Sequence, residues 1–149
     1  MKPLIYIRDK RSPKPKSENV SKVMSGNKAR NTNPEILLRK KLYQNKVIGY
    51  RINYKKVPGR PDIAFTSKKI AIFVNGCFWH RCPHCNLTMP KNNTVFWEEK
   101  FKKNKERDKR KIDELRKDGW IPITIWECKI LKNIEEQIKK IQNFIFNSN

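Results

Sequence analysis

From residue 33 onward, the apolar positions of this chain recur with two alternating periods. Ile36, Leu38 and Leu42 give a short helix its apolar side. Asn33 is expected to cap it, with Pro34 at its first turn and Glu35 at the positive end of its dipole. The helix is expected to end near Lys46. Residues 50–54, 62–65 and 70–75 read as strands. The third is almost continuously apolar, and residues 66–69 between the last two predict a hairpin.

A longer helix is expected over residues 96–117. Trp97, Phe101, Asn104, Asp108, Ile112 and Leu115 fall on one 3.6-residue stripe. Asn104 and Asp108 interrupt that stripe one turn apart. Either they line a cleft and find partners there, or the helix turns them to water. Gly119 stops the helix, and residues 120–126 predict another strand. Leu131, Ile134, Ile138, Ile141 and Ile145 mark one final amphipathic helix. Residues 1–31 carry three prolines and no sustained periodicity, with only residues 4–7 suggesting a short strand. The expected organisation is a basic arm (1–31) and a single domain (32–149). The domain is α/β, a central mixed sheet flanked by helices.

Charge narrows the partner. Thirty-five Lys and Arg stand against fourteen acids in 149 residues, a net +21. Such an excess expects a polyanion, nucleic acid first and an anionic membrane surface second. No apolar run approaches the roughly 20 residues that span a bilayer, and the N-terminus lacks a signal-peptide core. A cytoplasmic protein is expected, in which four cysteines serve as metal ligands or free thiols rather than disulfides.

The chemistry concentrates in VNGCFWHRCPHC, residues 74–85. Cys77, Cys82 and Cys85 are spaced C-x4-C-x2-C, and Cys128 follows a later strand. Four thiolates suit a closed, tetrahedral structural zinc site; buried free thiols are the alternative. His84 competes with its neighbour Cys85, which is favoured because it completes the C-x2-C pair. His80, between two ligands, is either a proton acceptor working near neutral pH or a spare surface histidine.

The segments SKVMSGNKARNTNPE, PGRPDIAF, GCFWHRCPHC, FWEEKFKKNKERD, GW and WEC resemble, in order and spacing, the very short patch repair (Vsr-type) mismatch endonucleases. The resemblance covers roughly residues 20–130. It implies a restriction-endonuclease-like fold that nicks one strand of duplex DNA beside the thymine of a T:G mismatch, using magnesium. Asp62 would hold the magnesium together with the main-chain carbonyl of Val74. His80 would be the general base, with Glu35 and Asp108 as acids near the site. Cys77, Cys82, Cys85 and Cys128 match structural zinc ligands. Phe78, Trp79 and Trp97 match aromatics that wedge into the base stack, and Met24 lies in a DNA-embracing arm. Asn104, in the N-x3-D pattern, is expected at the DNA. Lys100 and Lys103, with Lys102 and Lys105, would serve phosphates. A monomer acting on mismatched double-stranded DNA in the cytoplasm, at the nucleoid, is implied.

Two departures bear on the metal site. Val74 and Asn75 stand where the family commonly has Thr or another residue before a His or Asp. The usual second acid and lysine of the restriction-enzyme motif are missing after Asp62. The alternatives are therefore another nuclease or nickase of this fold, and a zinc-stabilised DNA-binding protein without catalysis. The aromatics have a core-packing alternative: on a strand, Phe78 and Trp79 would point to opposite faces, one inward and one toward DNA.

Overall fold

The computed structural model describes residues 31–147. Met24, the expected strand at 4–7 and the rest of the arm through residue 30 lie outside them. The order is α1 (Asn33–Gln44), β1 (Arg51–Ile52), β2 (Ile63–Phe65), β3 (Ile70–Asn75), α2 (Cys77–His80), α3 (Thr94–Lys117), β4 (Ile121–Trp126), α4 (Glu127–Lys132) and α5 (Ile134–Asn147). The strands form one mixed sheet in the order β1-β2-β3-β4. This is the α/β architecture expected from the periodicities.

The hairpin forms with Ile63 opposite Ile72 and Phe65 opposite Ile70. β3 then runs parallel to β4, from Ile70↔Ile121 to Asn75↔Trp126. A parallel pair needs a long crossover, and α3 supplies it. Ile70, Ile72 and Val74 face one core with Leu38, Leu42, Ile123, Ile125, Ile138 and Ile141. Ala71 and Phe73 face the other side, against Leu115. Helices cover β3 on both faces, which is why its sequence is apolar without alternation.

Several boundaries differ from expectation. Thr32, rather than Asn33, caps α1: its Oγ1 accepts the Glu35 N–H at 3.5 Å and donates to Glu35 Oε1 at 3.2 Å. The sequence TNPE is thus a capping box, with Glu35 reaching back over the helix start. Ile36 is 43% exposed, because Glu35, Leu38 and Leu42 form the buried stripe instead. The expected strand at 50–54 shortens to Arg51–Ile52, since Asn53 turns to φ +47°.

α3 begins at Thr94, earlier than expected, after a left-handed Asn93. Its end is closed at Gly119 (φ +83°): the Gly119 amide donates to Arg116 and the Trp120 amide to Leu115. That paired closure requires a residue tolerant of positive φ, and glycine meets it. The single final helix is in fact two. Asn133 breaks it and its Oδ1 accepts the Glu136 N–H, restarting the chain as α5. Leu131 consequently lies 64% exposed on α4, while Ile138 and Ile141 of α5 are buried. Among the described residues no helix is long and apolar enough to cross a membrane.

Candidate active site and metal centre

β3 and β4 finish side by side at Asn75 and Trp126. Sites in open α/β sheets form beyond such carboxyl ends, and the chemistry-bearing residues gather there.

Cys77 opens α2 directly after β3, and Cys128 sits in the first turn of α4 directly after β4. The ligand atoms of Cys77, Cys82, Cys85 and Cys128 all lie within 4.8 Å of one another. Cys82 Sγ and Cys128 Sγ are 3.7 Å apart, and all four are free thiols. Zn–S bonds of about 2.3 Å in a tetrahedron separate the sulfurs by about 3.8 Å, so the cluster fits a metal ion such as zinc. Two amides already point at sulfur: Cys128 N–H to Cys77 at 3.3 Å and His84 N–H to Cys82 at 3.4 Å. Burial pushes the Cys77 thiol well above its ordinary range, which a bound dication would reverse. Cys85 rather than His84 completes the cluster. His84 lines a groove of about 430 Å³ with Trp126, Lys129, Lys139 and Lys140.

His80 closes the α2 turn, its amide donating to Gly76 at 3.2 Å. Its Nδ1 lies 2.5 Å from Asp108 Oδ2 on α3. With Nδ1–H donated to that carboxylate, Nε2 is the basic nitrogen left for chemistry. Asn104, one turn earlier on α3, is buried and donates from Nδ2 to the Trp79 carbonyl at 3.0 Å. Both polar interruptions of the α3 stripe therefore find partners on α2. Asn104 faces that loop rather than solvent.

Asp62 enters β2 and accepts the Val74 N–H on Oδ2 at 2.7 Å. Its carboxyl is pushed up to about 6, chiefly by burial and further by the nearby Glu35 charge. The Val74 amide, Lys111 and His80 pull the other way. A half-buried carboxylate facing a second acid suits a hard cation that prefers oxygen ligands. Glu35 is 3% exposed and its two oxygens already accept from Thr32 and the Asn31 amide, so it acts on Asp62 through its field.

The aromatics differ most from expectation. Phe78 and Trp79 are not on a strand with opposed faces. They share the α2 turn and pack edge to face, centroids 5.2 Å apart. Trp97 is buried at 9% exposure, stacked on Phe101 and contacting both Phe78 and Trp79. It forms the floor of the cluster, while Phe78 and Trp79 remain partly exposed. Arg81 lies over the Phe101 ring at 4.4 Å and donates to the Leu87 and Thr88 carbonyls, pinning the loop after the cysteines. The sequence reading missed Arg81 and also Lys111, whose Nζ is 3.8 Å from Asp108 Oδ1. The i, i+3 spacing of Asp108 and Lys111 was the available signal. Lys103 is exposed on α3 and Lys100 partly so.

The family model for DNA mismatch endonuclease Vsr matches residues 13–87. The type II nicking enzyme V.NmeAIP of Neisseria meningitidis is 44% identical over 107 residues, 70% of this chain and 74% of that protein. The DNA mismatch endonuclease Vsr of Escherichia coli is 43% identical over 82 residues, 54% of this chain and 52% of that protein. Among solved structures, the catalytic domain of the homing endonuclease I-Bth0305I is similar in fold, with a TM-score of 0.54 and 22% identity. It matches over 79% of this chain and 98% of that domain.

Proposed function

The chain belongs to the Vsr DNA mismatch endonuclease family, a nicking endonuclease by kinship, and we propose that it nicks one strand of duplex DNA beside the thymine of a T:G mismatch by magnesium-dependent hydrolysis. The observation that carries this reading is the His80–Asp108 pair held beside Asp62 past the end of the parallel strands.

Asp62, with the main-chain oxygen of Val74, would hold the magnesium. When bound, that ion supplies positive charge to the phosphoryl oxygens and to the leaving oxygen. His80 Nε2 takes a proton from the attacking water. Asp108 fixes the imidazole ring and stabilises the charge that His80 acquires. Asn104 holds the Trp79 carbonyl, and with it the turn that carries His80. The four cysteines would hold zinc, which stays structural because every ligand position is filled by protein.

Phe78 and Trp79 would enter the base stack, supported from below by Trp97. Opening a base step costs about a few kcal/mol and less at a mismatch, so the aromatics favour mispaired sites. The lysines of α3, Lys100 and Lys103 among them, would follow the phosphates. Asn104 would assist DNA binding by holding the loop. Met24 would contribute from the arm. The protein would act as a cytoplasmic monomer.

A strand-scission assay tests the proposal. T:G, T:A and C:G duplexes are incubated with the protein, with and without magnesium, beside Asp62→Ala and His80→Ala. Magnesium-dependent nicking of the T strand in the T:G duplex, lost in both variants, is expected. Equal nicking of paired duplexes would point to a nickase of other specificity. No scission with any divalent metal would leave a DNA-binding protein.

A further inference from the structure

We propose that Lys111 is a further catalytic residue: its ammonium contacts the scissile phosphate and stabilises the charge that builds on its non-bridging oxygens. This rests on the strand-scission reading above. Lys111 lies one turn beyond Asp108 on the same face of α3. Asp108 uses Oδ2 for His80, and its Oδ1 is 3.8 Å from Lys111 Nζ, a loose contact that leaves the ammonium donors available.

The surroundings hold this lysine in place. Gly59, in the loop that leads to Asp62, has φ +82°, and a Cβ there would come within 2.9 Å of Lys111 Cγ and Cδ. The turn is therefore shaped around the lysine stem. The ammonium sits 5.8 Å over the Phe73 ring, and the side chain keeps 27% of its surface exposed. It is restrained along the stem and open at the tip.

A small pocket is lined by Phe73, Asn75, Asp108, Lys111, Ile112 and Thr124. Lys111 brings the positive charge to that group, since Asn75 offers a neutral amide. Its field also reaches Asp62, so one ammonium lies near both carboxylates of the site. A fixed cation beside a transferring phosphoryl group acts mainly on the transition state, where the charge is greatest. The exposed lysines of α3 lack this restraint and act on binding.

Single-turnover nicking of a T:G duplex, with enzyme in excess, is compared with the duplex dissociation constant for Lys111→Met, Lys111→Arg and Lys40→Met. Lys111→Met is expected to slow cleavage by about 10²-fold or more while changing the dissociation constant by less than about threefold. Lys111→Arg should recover at least about a tenth of the rate, and Lys40→Met, exposed on α1 away from the site, should cleave normally. Lys111→Gln, which keeps most of the stem, carries the same comparison should the Met chain not fold. Wild-type cleavage by either neutral variant would overturn the role. So would equal losses of rate and affinity, which mark an ordinary phosphate contact. Absence of scission by the unaltered chain would overturn the proposed function and this role together, whereas normal scission by the neutral variants would overturn the role alone.

Discussion

His80 Nδ1 and Asp108 Oδ2 meet at 2.5 Å across 28 residues of chain, one at the end of a single helical turn and the other midway along α3. The contact selects which ring nitrogen is basic. Asp108→Asn keeps the shape but can present the wrong tautomer to its partner. Single-turnover nicking is expected to fall by roughly 10²- to 10⁴-fold, with duplex affinity and melting temperature nearly unchanged.

Asp62 links the proposed metal site to acid–base stability. Its folded carboxyl titrates at about 6 against an ordinary 3.8. Between those values the native state binds more protons than the unfolded chain, so metal-free stability falls as pH rises from about 4 to about 6. Asp62→Asn should therefore raise the unfolding free energy of metal-free protein above pH 6, by on the order of a few kcal/mol at most, and leave it unchanged below pH 4. Magnesium should raise the wild-type melting temperature more at pH 7.5 than at pH 5. A pH-independent difference between the two chains would contradict this assignment.

Metal analysis should find one zinc per chain in the purified protein, and a chelator that removes it should lower the melting temperature by several degrees or more. Cys128→Ser leaves three thiolates and removes the ligand that joins the start of α4 to the α2 loop. It is expected to lose zinc and cleavage together, since Cys77 and His80 share one turn.

Phe78 and Trp97 should separate recognition from packing. Trp97→Ala removes a buried ring from the aromatic floor and should cost about 3–5 kcal/mol in denaturant unfolding. Phe78→Ala should cost less stability. It should also narrow the ratio of T:G to T:A cleavage by about tenfold.

At the helix start, Thr32→Ala deletes the cap that also orients Glu35. A loss of about 0.5–2 kcal/mol is expected. Thr32→Ser, which restores the hydroxyl, should recover most of it.

Much of this molecule was legible before folding. The two strands of the hairpin, the 3.6-residue stripe of α3 and the four cysteines are local patterns, and each appeared where its period or spacing put it. The polar interruptions of the α3 stripe at Asn104 and Asp108 left a cleft and a solvated face open, and the fold supplied partners on α2. What went wrong was local and had local causes. A threonine one residue earlier out-competed Asn33 as a cap, Asn133 split the last helix, and a helical turn rather than a strand carried Phe78 and Trp79.

The sequence by itself determined the alternation of helix and strand, the basic charge, the metal-binding residue set and the resemblance to mismatch endonucleases. Each rests on residue type at short spacing, which the chain carries whether folded or not. Only the tertiary structure decided that His80 meets Asp108, that Asp62 takes the Val74 amide, that Trp97 is floor rather than surface, and that the field of Lys111 reaches Asp62. Those meetings depend on the parallel crossover and on side-chain packing across both faces of the sheet, which no local period encodes.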